Sequence, residues 1–515
     1  MEFNLLYWFV ALLPIAFLLF LISYLEISSR LAAGLSLILA SLLALNFFQI
    51  TTYQLSISAG KGAVLSLYVI LIIVGAVLLY NIVDTAGGFE SMKVYINSLG
   101  GDKTLKLLAL SWAFSSFIQG ITGFGVPVAI VGALLAGIGY KPMIALITVL
   151  IGHSWAISFG SMGSSFYALQ LVTGLEALRL GTTMALLFLI PILTTGIFTA
   201  YVYNGLKAVK NQLKYIFPVG LVMGFMLWAA AFLGFPHIGS LLAGMSGSAL
   251  FLVILLYRTE HDSKDAQNIS GVMPLKHALF PYFLLIISVL IAQIPPVAEF
   301  LPEWELAFSF PGYTTGLGFE VSSEPNFSPI GFFTHPFFFL ILASTAGIIL
   351  YSSKKFLRPG EIKEIIKDSL NRASSSVMTV FLLMILASLM NDSGMVSMFA
   401  RGMARLGGDI FPILSPVIGI LGAFLTGSNT SSNVLFGAFQ VDSAGLLNLS
   451  PYMIASTQSI GGSLGSAVAP AKIIMGTAIV GMEGAEGDIL KRCLGFTLIS
   501  GILVGLAVLG LHQIF

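Results

Sequence analysis

Thr426-Gly427-Ser428-Asn429-Thr430-Ser431-Ser432-Asn433 interrupts an apolar stretch, 411–447, that is too long for one membrane span and too short for two with a loop. A span takes about 20 residues. A counterpart, Gln119-Gly120-Ile121-Thr122-Gly123-Phe124-Gly125-Val126-Pro127, interrupts the stretch 107–139 in the same way. A re-entrant hairpin that turns inside the protein fits both lengths. Non-helical backbone of this kind is tolerated at membrane depth only where it is buried in protein or lines a cavity.

The two stretches belong to a repeat with an offset of about 308 residues. Leu99-Gly100-Gly101-Asp102 returns as Leu406-Gly407-Gly408-Asp409, and Phe117-x-x-Gly120 returns as Phe424-x-x-Gly427. Asp84 followed by Gly87 matches Asp392 followed by Gly394, and Pro142-Met143-Ile144-Ala145 matches, with one shift, Pro451 to Ala455. After each hairpin comes a helix interrupted by small residues: Ser158 to Ser165 within 142–172, and Gly461 to Ser466 within 451–482. Paired interrupted segments in two halves point to the binding site of a transporter.

With 57% hydrophobic and 9% charged residues, the chain is far from a soluble domain, where about 25% of residues are charged. A net charge of +1 gives no electrostatic case for nucleic acid. The single cysteine, Cys493, forbids an internal disulfide, and no residue pattern calls for a metal or another cofactor. Glu2 stands where a basic leader would begin, so the first apolar run reads as a retained span.

Twelve full spans are expected, near 5–24, 31–48, 62–83, 142–172, 181–204, 215–235, 238–257, 276–295, 332–351, 373–391, 451–482 and 493–514, plus the two hairpins. The fold class is thus an all-α polytopic membrane protein. The basic connectors at Lys207 to Lys214, Arg258 to Lys276 and Lys354 to Arg372 should face the cytoplasm. Loop 296–331 has five glutamates and no Lys or Arg, and should lie outside, partly ordered. Counting from these anchors puts both termini outside and makes the hairpins enter from opposite faces, so the two repeats are inverted. The organisation reads as an N-terminal repeat (1–235), a central part (236–372) and a C-terminal repeat core (373–515), with 354–372 a basic amphipathic helix on the cytoplasmic surface.

Candidate binding residues follow from the interruptions. Helix N-termini at mid-membrane offer free N–H groups and a positive dipole end to an anion. Ser, Thr and Asn oxygens with freed carbonyls also suit Na⁺. The hairpins contribute Gln119, Gly120, Thr122, Gly123 and Gly125, and Ser428, Asn429, Thr430, Ser431, Ser432 and Asn433. The broken helices contribute Ser161, Gly163 and Ser164, and Gly462, Ser463 and Lys472. Packing through small residues is the competing reading for the glycines. Pro470 frees a carbonyl beside the second interruption, and Lys472 close to it is a costly intramembrane cation suited to a carboxylate. Coupling candidates are His153, a residue type whose ordinary pKa lies near neutrality, with Lys472 and Asn429. Asp84 and Asp392 read as helix caps, and no acid falls at the centre of an expected span. Gly461-x-Ser463-x-Gly465 matches the nucleophile-elbow pattern but lacks its strand–turn–helix context.

The window Phe117 to Ile130, with Phe159-Gly160-Ser161-Met162-Gly163 and Gln170 to Gly174, resembles the first signature of the lactate permease family. Thr426 to Gly437 and Ala478 to Gly481 are similar to its second, and Ser428-Asn429-Thr430 resembles the hairpin-tip triplet of anion/sodium symporters in the same wider superfamily. The resemblance implies a non-enzymatic secondary carrier of L-lactate and related short 2-hydroxy monocarboxylates, D-lactate and glycolate among them, in the plasma (inner) membrane of a prokaryote. It implies proton coupling, with a Na⁺-coupled carboxylate symporter or a cation/proton exchanger of the same superfamily as the alternative. It also implies a homodimer in which hairpins and broken helices slide against a static scaffold.

Overall fold

A computed structural model of the chain describes residues 3–98, 102–123, 125–259, 273–292 and 294–514. The repeat residues Leu99, Gly100 and Gly101, the hairpin residue Phe124 and the connector residue Lys264 lie outside the described residues.

Helices α1 (Leu5–Ser23) and α2 (Ser29–Asn46) lead into the first repeat. That repeat opens with the long α3 (Thr52–Thr85), whose start is fixed by a reciprocal capping box between Thr51 and Gln54, and continues with the short α4 (Gly88–Ser98). The first hairpin descends through α5 (Lys103–Leu108), a π-helical turn Ala109–Phe114 and α6 (Ser115–Ile121). It returns through a second π turn, Val128–Gly132, and α7 (Ala133–Gly137). The broken helix is α8 (Pro142–Gly152) and α9 (Ser164–Thr173). α10 (Ala177–Leu187) and α11 (Leu189–Phe232) follow, the latter kinked where Asn204 leaves helical backbone and Gly205 takes φ 57°.

The centre holds α12 (Gly239–Thr259), α13 (Leu275–Ala292), α14 (Pro295–Ala298), four short strands and α15 (Pro336–Ser353). The second repeat runs α16 (Glu361–Asp392), α17 (Met395–Gly407), the hairpin α18 (Phe411–Thr426) and α19 (Asn429–Leu446), the broken helix α20 (Pro451–Ala467) and α21 (Pro470–Val480), and α22 (Glu486–Ile514). Thirteen segments among the described residues are long and apolar enough to span a membrane. Two of them are descending hairpin arms and one, 177–232, holds two of the expected spans, which returns the twelve read from the sequence.

The equivalent helices α3 and α16 pack closely, with Gly62 against the backbone of Ile385. They run antiparallel. Asn81 near the end of α3 donates to Ser369 near the start of α16 (2.8 Å), while Ser58 near the start of α3 donates to Asp392 at the end of α16 (3.1 Å). The two repeats are therefore inverted. Hairpin two and its broken helix are joined through glycines: a Cβ on Gly461 would fall 2.0 Å from the Pro416 carbonyl oxygen, and one on Gly465 2.3 Å from that of Ile420. A buried polar chain crosses the same seam, with Gln440 donating to Gln458 Oε1 and Gln458 to Ser432 Oγ (3.0 Å). Such interhelical bonds are worth roughly 1 kcal/mol each in a membrane protein.

Several expectations need correction. Gly461 to Ser466 is continuous helix, because its glycines admit α18 against α20. The break falls at Val468-Ala469, where Pro470 offers no donor to the preceding turn. Segment 354–372 is not a separate surface helix. No Gly or Pro interrupts 361–392, so the basic residues from Lys363 onward form the first turns of α16. Loop 296–331 carries two antiparallel pairs: β1 (Glu305–Phe310) with β4 (Glu324–Gly331), and β2 (Tyr313–Thr314) with β3 (Glu320–Val321). Asp392 is no cap. Its carboxylate accepts from Ser58 and faces Lys61 Nζ at 3.8 Å, while Asp84 accepts from the Tyr80 hydroxyl at 3.2 Å.

Candidate substrate site

Helix α18 stops at Gly427 (φ 75°) and α19 starts two residues later, at Asn429. Ser428 is extended (φ −146°, ψ 127°), and its Oγ accepts from the Ser431 N–H at 3.3 Å. The N–H groups of Asn429 and Thr430, in the first turn of α19, have no intrahelical acceptor. Helix α9 starts after three successive left-handed residues, Ser161 (φ 48°), Met162 (φ 54°) and Gly163 (φ 73°). Non-glycine residues held there cost about 1–3 kcal/mol each, and such strain concentrates at functional sites. α21 starts at Pro470, after the break.

These three N-termini meet on one cavity of about 230 Å³, walled by Ser161, Ser164 and Ser165, by Ser428 to Ser431, and by Ala471 and Lys472. Each helix end carries roughly half a positive charge. Lys472 Nζ donates to Ser466 Oγ at 2.7 Å, and among the described residues no carboxylate lies within 4.0 Å of it. Gln119 reaches the wall from hairpin one. Ser375, Ser376 and Thr379 of α16, Ile73 of α3 and Ser29 of α2 close the facing side.

Proton bookkeeping fixes the polarity of the wall. Ser158 Oγ donates to the Ser459 carbonyl (2.9 Å) and so must accept from Asn429 Nδ2 (2.9 Å). Asn433 Nδ2 donates to the Ser165 carbonyl and to Ser459 Oγ, both at 2.9 Å. Asn429 is thereby oriented with Oδ1 bare, and Gln119 Oε1 is likewise buried without a partner. A buried acceptor left unpaired costs about 1–3 kcal/mol, so both oxygens are sites for a donor. The cavity thus offers positive ends and an ammonium to a carboxylate, and the two bare amide oxygens are enclosed in its wall.

Of the residues singled out in the sequence, Gln119, Ser161, Ser164, Ser428, Asn429, Thr430, Ser431 and Lys472 stand on the cavity wall. The others stand behind it. Gly120 packs on the Leu241 backbone, Gly123 on Ser161, Gly125 under the Met475 methyl and Gly163 against His237. Thr122 is turned back to the Ile118 carbonyl (3.0 Å) and Ser432 to that of Gly419 (3.1 Å). Asn433 ties hairpin two to the first break. Ser463 does the same from α20, donating to the Ser154 carbonyl (2.6 Å) and accepting from the N–H groups of Ile157 and Ser158. Gly462 backs Asn429, whose Oδ1 would lie 2.1 Å from an added Cβ. His153 is off the wall and buried, with Nδ1 2.5 Å from the Val149 carbonyl oxygen and Nε2 unpartnered.

Sequence reasoning missed the wall residues of α2 and α16. For α16 the signal was the hydroxyl run Ser374-Ser375-Ser376 at the start of an otherwise apolar span. Lys61 was missed because its span was read as starting one residue later. It is buried and bridges Glu324 at 2.8 Å.

The family model described as L-lactate permease matches residues 8–515 of the chain. The L-lactate permease of Streptococcus iniae is 29% identical over 87% of this chain and 93% of that protein. The glycolate permease GlcA of Escherichia coli strain K12 is 27% identical over 97% and 94%. Among solved structures, the Alcanivorax borkumensis YdaH transporter is similar, with a TM-score of 0.48 and 15% identity over 89% of this chain and 87% of that one. A match running from residue 8 to the last residue leaves no part of this inverted-repeat architecture outside it, and the chain belongs to the L-lactate permease family.

Proposed function

We propose that this chain is a secondary active transporter of short-chain monocarboxylates, L-lactate first and D-lactate and glycolate with it, moved together with a proton. The observation that carries the reading is the convergence of three helix N-termini and the carboxylate-free Lys472 on one small cavity. The substrate carboxylate takes the N–H groups at the starts of α9 and α19 and the Lys472 ammonium. The 2-hydroxyl donates to Asn429 Oδ1 or Gln119 Oε1. Burying a carboxylate demands this many donors, because an unpaired one in low dielectric is prohibitively costly. The names of the relatives, lactate and glycolate permeases, agree with a small 2-hydroxy acid.

Alternating access follows an elevator-like course in a homodimer. Hairpin 411–447 and broken helices 142–172 and 451–482 are joined by the bonds Asn429–Ser158–Ser459–Asn433, and together with hairpin 107–139 they move as one body. α3 and α16 belong to the scaffold against which they slide. The protein sits in the plasma membrane of a prokaryote with both termini outside. A second reading, Na⁺ coupling, draws on the same two bare amide oxygens, which are also suitable cation ligands.

Uptake of radiolabelled L-lactate into liposomes holding the purified protein tests both, with pH and Na⁺ gradients imposed separately. Accumulation under the pH gradient is the expected result. Accumulation under Na⁺ alone transfers the amide oxygens to a cation site. The absence of any uptake, or of exchange of external for internal lactate, removes lactate as the substrate.

A further inference from the structure

The base of hairpin one carries a cavity that the substrate site does not use. Its volume is about 470 Å³, and it lies where α5 begins, α7 has ended, α8 begins and α11 kinks at Asn204 and Gly205. Lys103, Lys106 and Lys141 line it. Lys106 is half-buried and the other two are exposed. Among the described residues no carboxylate lies within 4.0 Å of any of the three. The adjoining acid, Asp102, is already engaged: one oxygen accepts from the Thr104 N–H (2.6 Å) and the other from Gln212 Nε2 (3.1 Å). Lys207, Lys210 and Lys214 follow the kink, so segments 99–141 and 204–214 together hold six lysines and one aspartate. Like charges gathered in this way repel one another, and an anion held among them removes that cost.

The cavity is held in shape by its own contacts. The Tyr140 hydroxyl donates to the Lys103 carbonyl at 2.5 Å and ties the two arms of the hairpin together at their base. The Tyr140 ring meets that of Tyr203 on α11 edge-on, with centroids 5.9 Å apart. Much of the remaining wall is apolar, formed by Ile138, Ile144 and Tyr203. Tyr201 and Leu206, on either side along α11, are exposed, and in a membrane such side chains meet lipid. The spans 142–172 and 181–204 end at this cavity, which puts it at the depth of the headgroups, where tyrosines and lysines gather. A free inorganic anion would leave the apolar wall unused, whereas an amphiphile uses both parts. We propose that the cavity seats the phosphodiester headgroup of an anionic phospholipid such as phosphatidylglycerol. Lys103, Lys106 and Lys141 take the phosphate, and Ile138, Ile144 and Tyr203 take the glycerol and the first methylenes. The lipid fastens the base of hairpin one to α8 and α11. Lysines clustered beside a span bind anionic headgroups by the same electrostatics. The inference needs only that the chain is embedded in a bilayer, and it stands whichever acid or coupling ion the carrier uses.

The test titrates the full-length protein, stripped of lipid in detergent, with dioctanoyl phosphatidylglycerol, dioctanoyl phosphatidylcholine or inorganic phosphate, and reads the melting temperature. Phosphatidylglycerol should stabilise the wild type saturably, and the other two should not at the same concentrations. Each lysine beside an anionic headgroup is worth about fivefold in affinity, so K103Q/K106Q/K141Q should bind phosphatidylglycerol about 100-fold less tightly. The charge-matched control K207Q/K210Q/K214Q, outside the cavity, should lose no more than about fivefold. Equal losses in the two triple variants reduce the effect to general surface charge and overturn the proposal. Wild-type affinity in K103Q/K106Q/K141Q overturns it too, as does equal stabilisation by phosphatidylcholine. Saturable stabilisation by inorganic phosphate alone makes this a free-anion site and overturns the lipid occupant. If the triple variant fails to fold, K106Q is read instead, and an unchanged affinity there overturns the proposal. A raised lactate KM in the triple variant with phosphatidylglycerol affinity intact would make these lysines a route for substrate, which also overturns it.

Discussion

Replacing Lys472 by Met separates a substrate-binding cation from a structural one, because the two roles predict opposite signs for stability. The side chain stays long and apolar, and only the ammonium is lost. In the empty site that ammonium has one close partner, Ser466 Oγ at 2.7 Å, and among the described residues no carboxylate within 4.0 Å. Its removal therefore deletes one hydrogen bond and relieves the desolvation of a charge, two contributions that oppose each other. The substrate-free protein should melt at or slightly above the wild-type temperature.

Binding should move the other way. A hydrogen bond to a charged group is worth about 1.5–3 kcal/mol, which is roughly 10- to 150-fold in affinity at 1.4 kcal/mol per decade. The KM for lactate should rise by that factor. Stabilisation by saturating lactate, which follows RT ln(1 + [L]/Kd), should shrink accordingly at fixed ligand concentration. Transport kinetics in liposomes and thermal unfolding in detergent, with and without lactate, give both numbers. A K472M protein that melts well below wild type with an unchanged KM would refute the reasoning and make Lys472 a structural residue.

Gly462→Ala places a Cβ 2.1 Å from Asn429 Oδ1, against an amide already fixed by Ser158, so about 1–3 kcal/mol of overpacking and a raised KM are expected in the same assays. Lys61→Met strips the buried Asp392 of its cation and should cost about 3–5 kcal/mol in thermal unfolding, and much of this should return in the double variant K61M/D392N. Burial pushes the Tyr313 hydroxyl, on the β2 strand and 2.9 Å from Ser58, up to about 12. The folded state thus keeps a proton that the unfolded chain loses near pH 10, so stability should fall as pH rises from about 10 to about 12, and Y313F should flatten that part of the profile.

Most of this architecture is legible in the residues because membranes allow few solutions. Lengths of apolar runs set the spans, and Gly and polar residues inside an over-long run demand a hairpin. What was not legible depends on pairing across the repeat. Gly461 and Gly465 look like a helix interruption along one strand of sequence, and only the approach of Pro416 and Ile420 makes them packing residues. Lys61 sits at the edge of its apolar run and becomes an interior charge only because α3 extends back to Thr52, so that Asp392 and Glu324 meet it. His237 occupies a turn that looks like a surface connector, and nothing local reveals that Gly163 and Tyr167 bury it.

The two repeats supply the same three parts, yet they break their second helix by different means, and this has a consequence for selectivity. The first break spends three left-handed residues, two of them not glycine, to aim Ser161 and Ser164. The second uses a proline that lacks a donor, followed two residues later by Lys472. One side of the cavity therefore presents hydroxyls and a helix end, the other a full positive charge. A symmetric divalent anion would leave one carboxylate facing Ser161 and Ser164 with no cation. In the proposed binding mode a single carboxylate is shared between the Lys472 ammonium and the helix ends, and the hydroxyl turns to an amide oxygen, so no second cation is needed. The discrimination lies in the break chemistry rather than in the fold, so placing a cation at Ser164, as in Ser164→Lys, should raise affinity for a dicarboxylate such as malonate relative to lactate. Competition of malonate against labelled lactate uptake measures this directly, and unchanged competition in S164K would mean that the two breaks do not share one substrate.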